Sequence, residues 1–171
     1  MKSVSLSIAF VISTIFAQAQ SAIRAEVIYT VSGSPIRDGI VLINNGKIEK
    51  VGPASAISIP PNYKIYNAKV VTPGLIDART VIGMSGVLNT PVDQDQLEKS
   101  SPIQPELRAI DAYNPEEKLV TVARETGITT LHTGHGIGAL VSGQTMIVKT
   151  KVGTVETVTL NPFAMMAMTI G

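Results

Sequence analysis

"VVTPGLIDARTVIG", residues 70–83, decides how this chain is read. Val70-Val71-Thr72 and Leu75-Ile76 form a near-continuous apolar run, the pattern of a strand buried on both faces in a parallel sheet. Asp77 ends that run, and Ala78-Arg79-Thr80-Val81 follow. Downstream, Asn114-Pro115-Glu116-Glu117 has the marks of a helix start: an Asn cap, Pro at the first helical position and acids in the first turn. The expected helix runs to about Glu125, with Leu119, Val120, Val122 and Ala123 toward the core, and Gly127 stops it. Ile128 to Leu131 is a second apolar strand. Strand, helix and apolar strand in that order make a βαβ pattern, and so an α/β chain.

Upstream of residue 70 the texture differs. Ala25 to Val31, Gly39 to Ile43, Lys47 to Val51 and Ile65 to Val71 read as short strands, with turn clusters at Ser32-Gly33-Ser34-Pro35 and Pro60-Pro61. Asn45-Gly46 between two such runs is a strong hairpin signal, because both residues tolerate positive φ. Ile48 and Val51 are expected on the buried side. Residues 25 to about 70 therefore read as a small antiparallel β module.

Downstream of the βαβ pattern, Asn89 to Pro105 is a polar, proline-bearing surface loop, and Gly134 to Gly143 is glycine-rich. Gln144 to Thr150 and Thr154 to Leu160 read as a hairpin turning at Lys151-Val152-Gly153. Asn161-Pro162 resembles another cap, opening a final helix that packs Met165, Met166 and Met168 into the core.

Composition excludes several function classes. Among 171 residues, Lys+Arg number 14 against Asp+Glu 13, so no electrostatic footprint for nucleic acid is present. Trp and Cys are absent, which removes thiolate metal sites, disulfides and cysteine nucleophiles. The expected partner is a small-molecule substrate or ligand; oligomeric state is left open. Lys2, the apolar stretch Val4 to Phe16 and Ala17-Gln18-Ala19 form a secretory signal pattern. Its cleavage would start the mature chain near Gln20, in the periplasm or outside the cell, with no membrane attachment. An uncleaved anchor and a buried N-terminal helix are the alternatives.

Taken together, "GIVLINNGKIEKVGP", "AKVVTPGLIDA", "ETGITTLHTG" and "GALVSGQTMIVKT" resemble the N-terminal part of the amidohydrolase superfamily, nearest to its secreted imidazolonepropionase-like and prolidase-like members. The resemblance covers the chain from about Ala25 onward. It implies a small β-sandwich flanking a metal-dependent (β/α)8 barrel whose chemistry sits at the C-terminal mouths of the strands. It implies this division: residues 1–19 a signal peptide, 20–69 a sandwich portion, 70–171 the first strands and helices of a truncated barrel. Such a barrel takes roughly 250 residues, so a piece of a longer product is expected. The implied activity is hydrolysis of non-peptide or dipeptide C–N bonds by the full-length form, with this chain inactive alone. The implied cofactor is a divalent metal such as zinc, which activates a water for attack. The family's first strand ends in PGxIDxHxH, and the two histidine positions are here Arg79 and Val81. Arg has no free lone pair and Val no donor atom. The alternative is a degenerate amidohydrolase that binds a small ligand without metal chemistry.

Four residues are candidates for the site. Asp77 is either a mouth carboxylate or a turn acid that fixes the strand end. Arg79 is an anion clamp, a cation standing in place of the metal, or a structural ion-pair partner. His132 and His135 are the only histidines; they serve as an alternative ligand pair or base, or as hydrogen-bonded mouth residues. Gly134, Gly136, Gly138 and Gly143 fit neither phosphate-loop spacing, and Ser142 lacks the GxSxG context of a nucleophile.

Overall fold

The computed structural model describes residues 20–88 and 90–170. The signal segment expected at 1–19 lies outside the described residues. The chain divides into two compact units, one ending at Pro73 and the other beginning at Gly74.

The first unit is a four-stranded sheet built from β1 (Ser21–Ile28), β2 (Ile36–Asn44), β3 (Lys47–Pro53) and β4 (Lys64–Val71), in the order β3-β2-β1-β4. Asn45 and Gly46 have φ of 53° and 70°, the two positive values of the hairpin turn whose twist suits antiparallel strands. The module is not wholly antiparallel, because β1 pairs parallel with β4, Ala22 opposite Ile65 and Val27 opposite Val70. A parallel neighbour needs a crossover, and the segment from residue 54 to 63 contributes to one: Ala54, Ile57, Ile59 and Tyr63 pack on Ala22, Ile40 and Leu42. Ala25, Ile28 and Val41 gather Ile23, Ile36, Ile43, Ala68 and Val71 into a second cluster. Ile48 and Val51, expected toward the core, are exposed, Ile48 at 68%. They lie on an edge strand, and a bulge sets Ile48 opposite Ile43 but Lys50 opposite Leu42, so simple alternation fails there.

The second unit is mostly β with short helices. After β5 (Leu75–Thr80) and a 3-10 turn at Pro91–Asp93 come α1 (Ala109–Ala112), α2 (Lys118–Glu125) and β6 (Ile128–Thr133). Then follow β7 (Val141–Gln144), β8 (Met146–Lys149), α3 (Val155–Val158), β9 (Thr159–Asn161) and β10 (Met166–Met168). β5 and β6 pair in parallel with α2 between them in sequence, the βαβ unit expected. Beyond β6, however, the sheet runs β5-β6-β8-β9 with β8 and β9 antiparallel. Two parallel strands are thus the extent of any barrel-like sheet among the described residues.

Burial and hydrogen bonding correct several expectations. β5 is an edge strand, not one covered on both faces: Leu75 and Ile76 are 59% and 70% exposed. α2 begins three residues after the expected first helical position. Asn114 Oδ1 accepts the Glu116 N–H at 2.9 Å, forming a turn, and Glu117 becomes the cap by accepting the Leu119 N–H at 2.9 Å. Val120 and Ala123 face the core while Val122 is exposed. They join Met84, Tyr113, Leu131, Met146 and Val148 in one cluster. The Met-rich tail is strand β10 against β7, with Met165 and Met168 exposed. Asn161 accepts the Phe163 N–H at 3.1 Å in a turn that leads to no helix. The β8–β9 hairpin carries the helical turn α3 in its connection.

Candidate functional site

All four sequence candidates meet around one irregularity. In the β5/β6 ladder Asp77 lies opposite Leu131 and Thr80 opposite Thr133, so Ala78 and Arg79 together face the single residue His132. This is a β-bulge, a device that re-aims a side chain and recurs beside functional sites. Three hydrogen bonds hold it. Asp77 Oδ1 accepts the Arg79 backbone N–H at 3.2 Å, the local bond a turn acid makes. His132 Nδ1 lies 2.8 Å from the Ala78 carbonyl, and a carbonyl only accepts, so Nδ1 carries the proton. His132 Nε2 meets Thr145 Oγ1 at 2.7 Å, and that hydroxyl also lies 3.2 Å from the Met165 carbonyl.

The bulge sends Arg79 to the loop after β6. Its Nη1 donates to the Thr80 carbonyl at 2.7 Å and its Nη2 to the His135 carbonyl. His135 is 4% exposed, and its Nε2 is buried without a hydrogen-bond partner. Burial lowers the His135 pKa; the Leu107 carbonyl opposes the shift and the Arg79 charge adds to it. Gly143 packs on the ring at φ +125°: a Cβ there would lie 2.7 Å from the ring and 2.6 Å from the Leu107 oxygen.

Sequence reasoning missed the surroundings of His135. The ring lines a cleft of about 490 Å³ with Asp95, Glu98, Glu106, Arg108 and Asp111. Arg108 is bidentate to Asp111, at 2.8 and 2.6 Å. The Ser100 amide that Glu98 accepts and the Arg108 guanidinium beside Asp111 hold both carboxyl pKa values low. No local motif marks these loop residues, nor Thr145. Ser142, which lacks a nucleophile's context, spends its hydroxyl on the Ala139 carbonyl at 3.3 Å.

Comparison with known proteins bears on the family. No family model matches the chain. The curated amidohydrolase tasK of Hapsidospora irregularis is 30% identical over 120 residues, 67% of this chain and 12% of that protein. An amidohydrolase from Thermotoga maritima MSB8, known from its crystal structure, is 26% identical with a TM-score of 0.79. That match covers 88% of this chain and 39% of the other. This chain belongs to the amidohydrolase superfamily. It spans well under half the length of both relatives.

The divalent metal implied for an amidohydrolase does not fit the donors at this mouth. Arg79 and Val81 supply no lone pair, and both His132 nitrogens are engaged with Ala78 and Thr145. Among the described residues no group of three or more His, Cys, Asp or Glu is placed to hold a metal ion. The convergence of Asp77, Arg79 and His132 is a hydrogen-bonded clasp.

Proposed function

We propose that this chain forms the N-terminal scaffold of an exported hydrolase of C–N bonds, non-peptide or dipeptide, and is catalytically silent alone. The observation that carries this reading is the strand mouth itself. On this reading the end of β5 corresponds to an amidohydrolase's first barrel strand, and there Asp77 holds the Arg79 N–H, Arg79 the Thr80 and His135 carbonyls, and His132 the Ala78 carbonyl and the Thr145 hydroxyl. On this reading β5, α2 and β6 are the opening of a (β/α)8 barrel, the β1–β4 sheet is part of the flanking sandwich, and residues 1–19 are the export signal. The membrane plays no part after cleavage; among the described residues no helix is long and apolar enough to cross one.

Turnover of cyclic amides, N-acyl amino acids and Xaa-Pro dipeptides by the purified chain, with and without Zn²⁺ or Mn²⁺, tests the proposal. No turnover above buffer is expected; metal-dependent turnover overturns it. The second reading, a degenerate amidohydrolase that binds a small ligand, requires Arg79 to exchange the Thr80 and His135 carbonyls for a ligand carboxylate. Calorimetric titration of the full-length protein with small carboxylates distinguishes the two: saturable binding without turnover selects the binder.

A further inference from the structure

The residue at the first ligand position of this mouth does more than fail to bind metal. Arg79 sits in the bulge opposite His132, its N–H is fixed by Asp77, and its guanidinium bridges the carbonyls of Thr80 and His135. One cationic group thereby ties the end of β5 to the loop that follows β6, fifty-six residues later. From Val141 on the chain is held by β7, paired with β10, and by the Pro102 carbonyl; at Leu140 the carbonyl accepts the Thr169 amide, and nearer β6 the Gly136 amide donates to the Gln96 carbonyl at 2.9 Å. An Arg–carbonyl bond is charge-assisted, and a two-carbonyl fork fixes direction as well as distance.

We infer that Arg79 is the resident cation of this mouth, a positioning residue that holds the loop from Gly134 to Leu140 in place, so that the order of the site needs no metal ion. The inference goes beyond the hydrolase reading and does not depend on it, because loop order is measured without substrate.

Two consequences follow. Loop order is indifferent to chelators and to added Zn²⁺. Removing the guanidinium frees the loop and also removes a positive charge that disfavours protonation of His135. The other charged groups that line the cleft with His135, Asp95, Glu98, Glu106, Arg108 and Asp111, stay the same in such a variant.

The test is amide hydrogen exchange on the full chain, joined to an NMR titration of His135. In the wild type, exchange at Gly136 is expected to be the same in EDTA and in Zn²⁺. In Arg79→Met it accelerates about tenfold or more at this amide, while Ala54, bonded to the Asp38 carbonyl in the other unit, is unchanged. The His135 titration midpoint rises in Arg79→Met. It stays near wild type in Arg79→Lys, which keeps the charge without the fork, while the loop still loosens. That split separates the charge from the tether, and Arg79→Lys carries the test if the Met variant does not fold. One-to-one Zn²⁺ uptake that protects the wild-type loop overturns the inference. So does unchanged loop exchange in both variants.

Discussion

Gly143 shows how far a single residue reaches into the site. At φ +125° its backbone is in a region that side chains rarely adopt, and a Cβ would meet both the His135 ring and the Leu107 carbonyl oxygen. Gly143→Ala should cost at least about 2 kcal/mol and displace the His135 ring, since backbone strain and a backbone clash combine. Chemical denaturation and the His135 resonances check this. The glycine itself was visible in the sequence as part of a loop, but its partner was not, because the two come together through folding. Asp77 is the opposite case. The local habit of Asp to bond backbone two residues on makes this contact legible from the sequence, and Oδ1 does accept the Arg79 N–H. Tyr113 was invisible as a titrating group. It is buried, its hydroxyl has no partner, and burial, helped by the Glu117 charge, pushes its pKa up to about 12. The sign follows from linkage: the unfolded phenol ionises near 10 while the folded one stays neutral, so the stability it contributes is full below pH 10 and is lost as pH rises through 10 to 12. By pH 11 the loss should be about 1 kcal/mol in urea denaturation. Tyr113→Phe should flatten that alkaline decline and be neutral or slightly stabilising at pH 7, because an unmet buried hydroxyl is removed.

At the scale of elements, legibility tracked the range of the interaction that builds each one. The β2–β3 turn is encoded by two adjacent residues, and the parallel β5/β6 pair by an apolar strand, a helix and a second apolar strand in close succession. The parallel β1/β4 pairing joins strands more than forty residues apart, and nothing local announces it. Asn114-Pro115 and Asn161-Pro162 misled for one shared reason. An Asn that accepts the N–H two residues on makes a turn as readily as a cap, and only the packing that follows decides between them. Helix α2 offers a direct test of which face matters. Val120 is 1% exposed and Val122 is 42% exposed. Val120→Ala should cost about 1.5–3 kcal/mol from lost transfer energy and a cavity against the Leu131 cluster, whereas Val122→Ala should stay within about 0.5 kcal/mol. Thermal unfolding of the two single variants decides it, and equal losses would mean that the helix is rotated from the orientation described.

At the scale of the whole molecule, the pressing physical fact is the uncovered edge strand β5. Leu75 and Ile76 are mostly exposed on a strand that pairs on one side alone. An apolar strand with an open row of backbone donors and acceptors is a template for pairing with another chain. The hydrophobic run in residues 70–83 reads as a strand buried on both faces, whereas Val70, Leu75 and Ile76 are exposed in this chain. Its burial requires neighbours that the described residues do not include. The two relatives, of which the chain spans 39% and 12%, are far longer, which agrees with a run of this kind being covered in a larger protein. The 171-residue chain should therefore self-associate at tens of micromolar, seen as a concentration-dependent rise in weight-average mass by sedimentation equilibrium. Ile76→Lys places a charge on the open edge, the device by which natural sheets discourage edge pairing. It should shift the population to monomer with little change in the Leu131 cluster, because Ile76 lies outside that core. A wild-type chain that stays monomeric up to hundreds of micromolar would show that the edge is protected by something other than another strand.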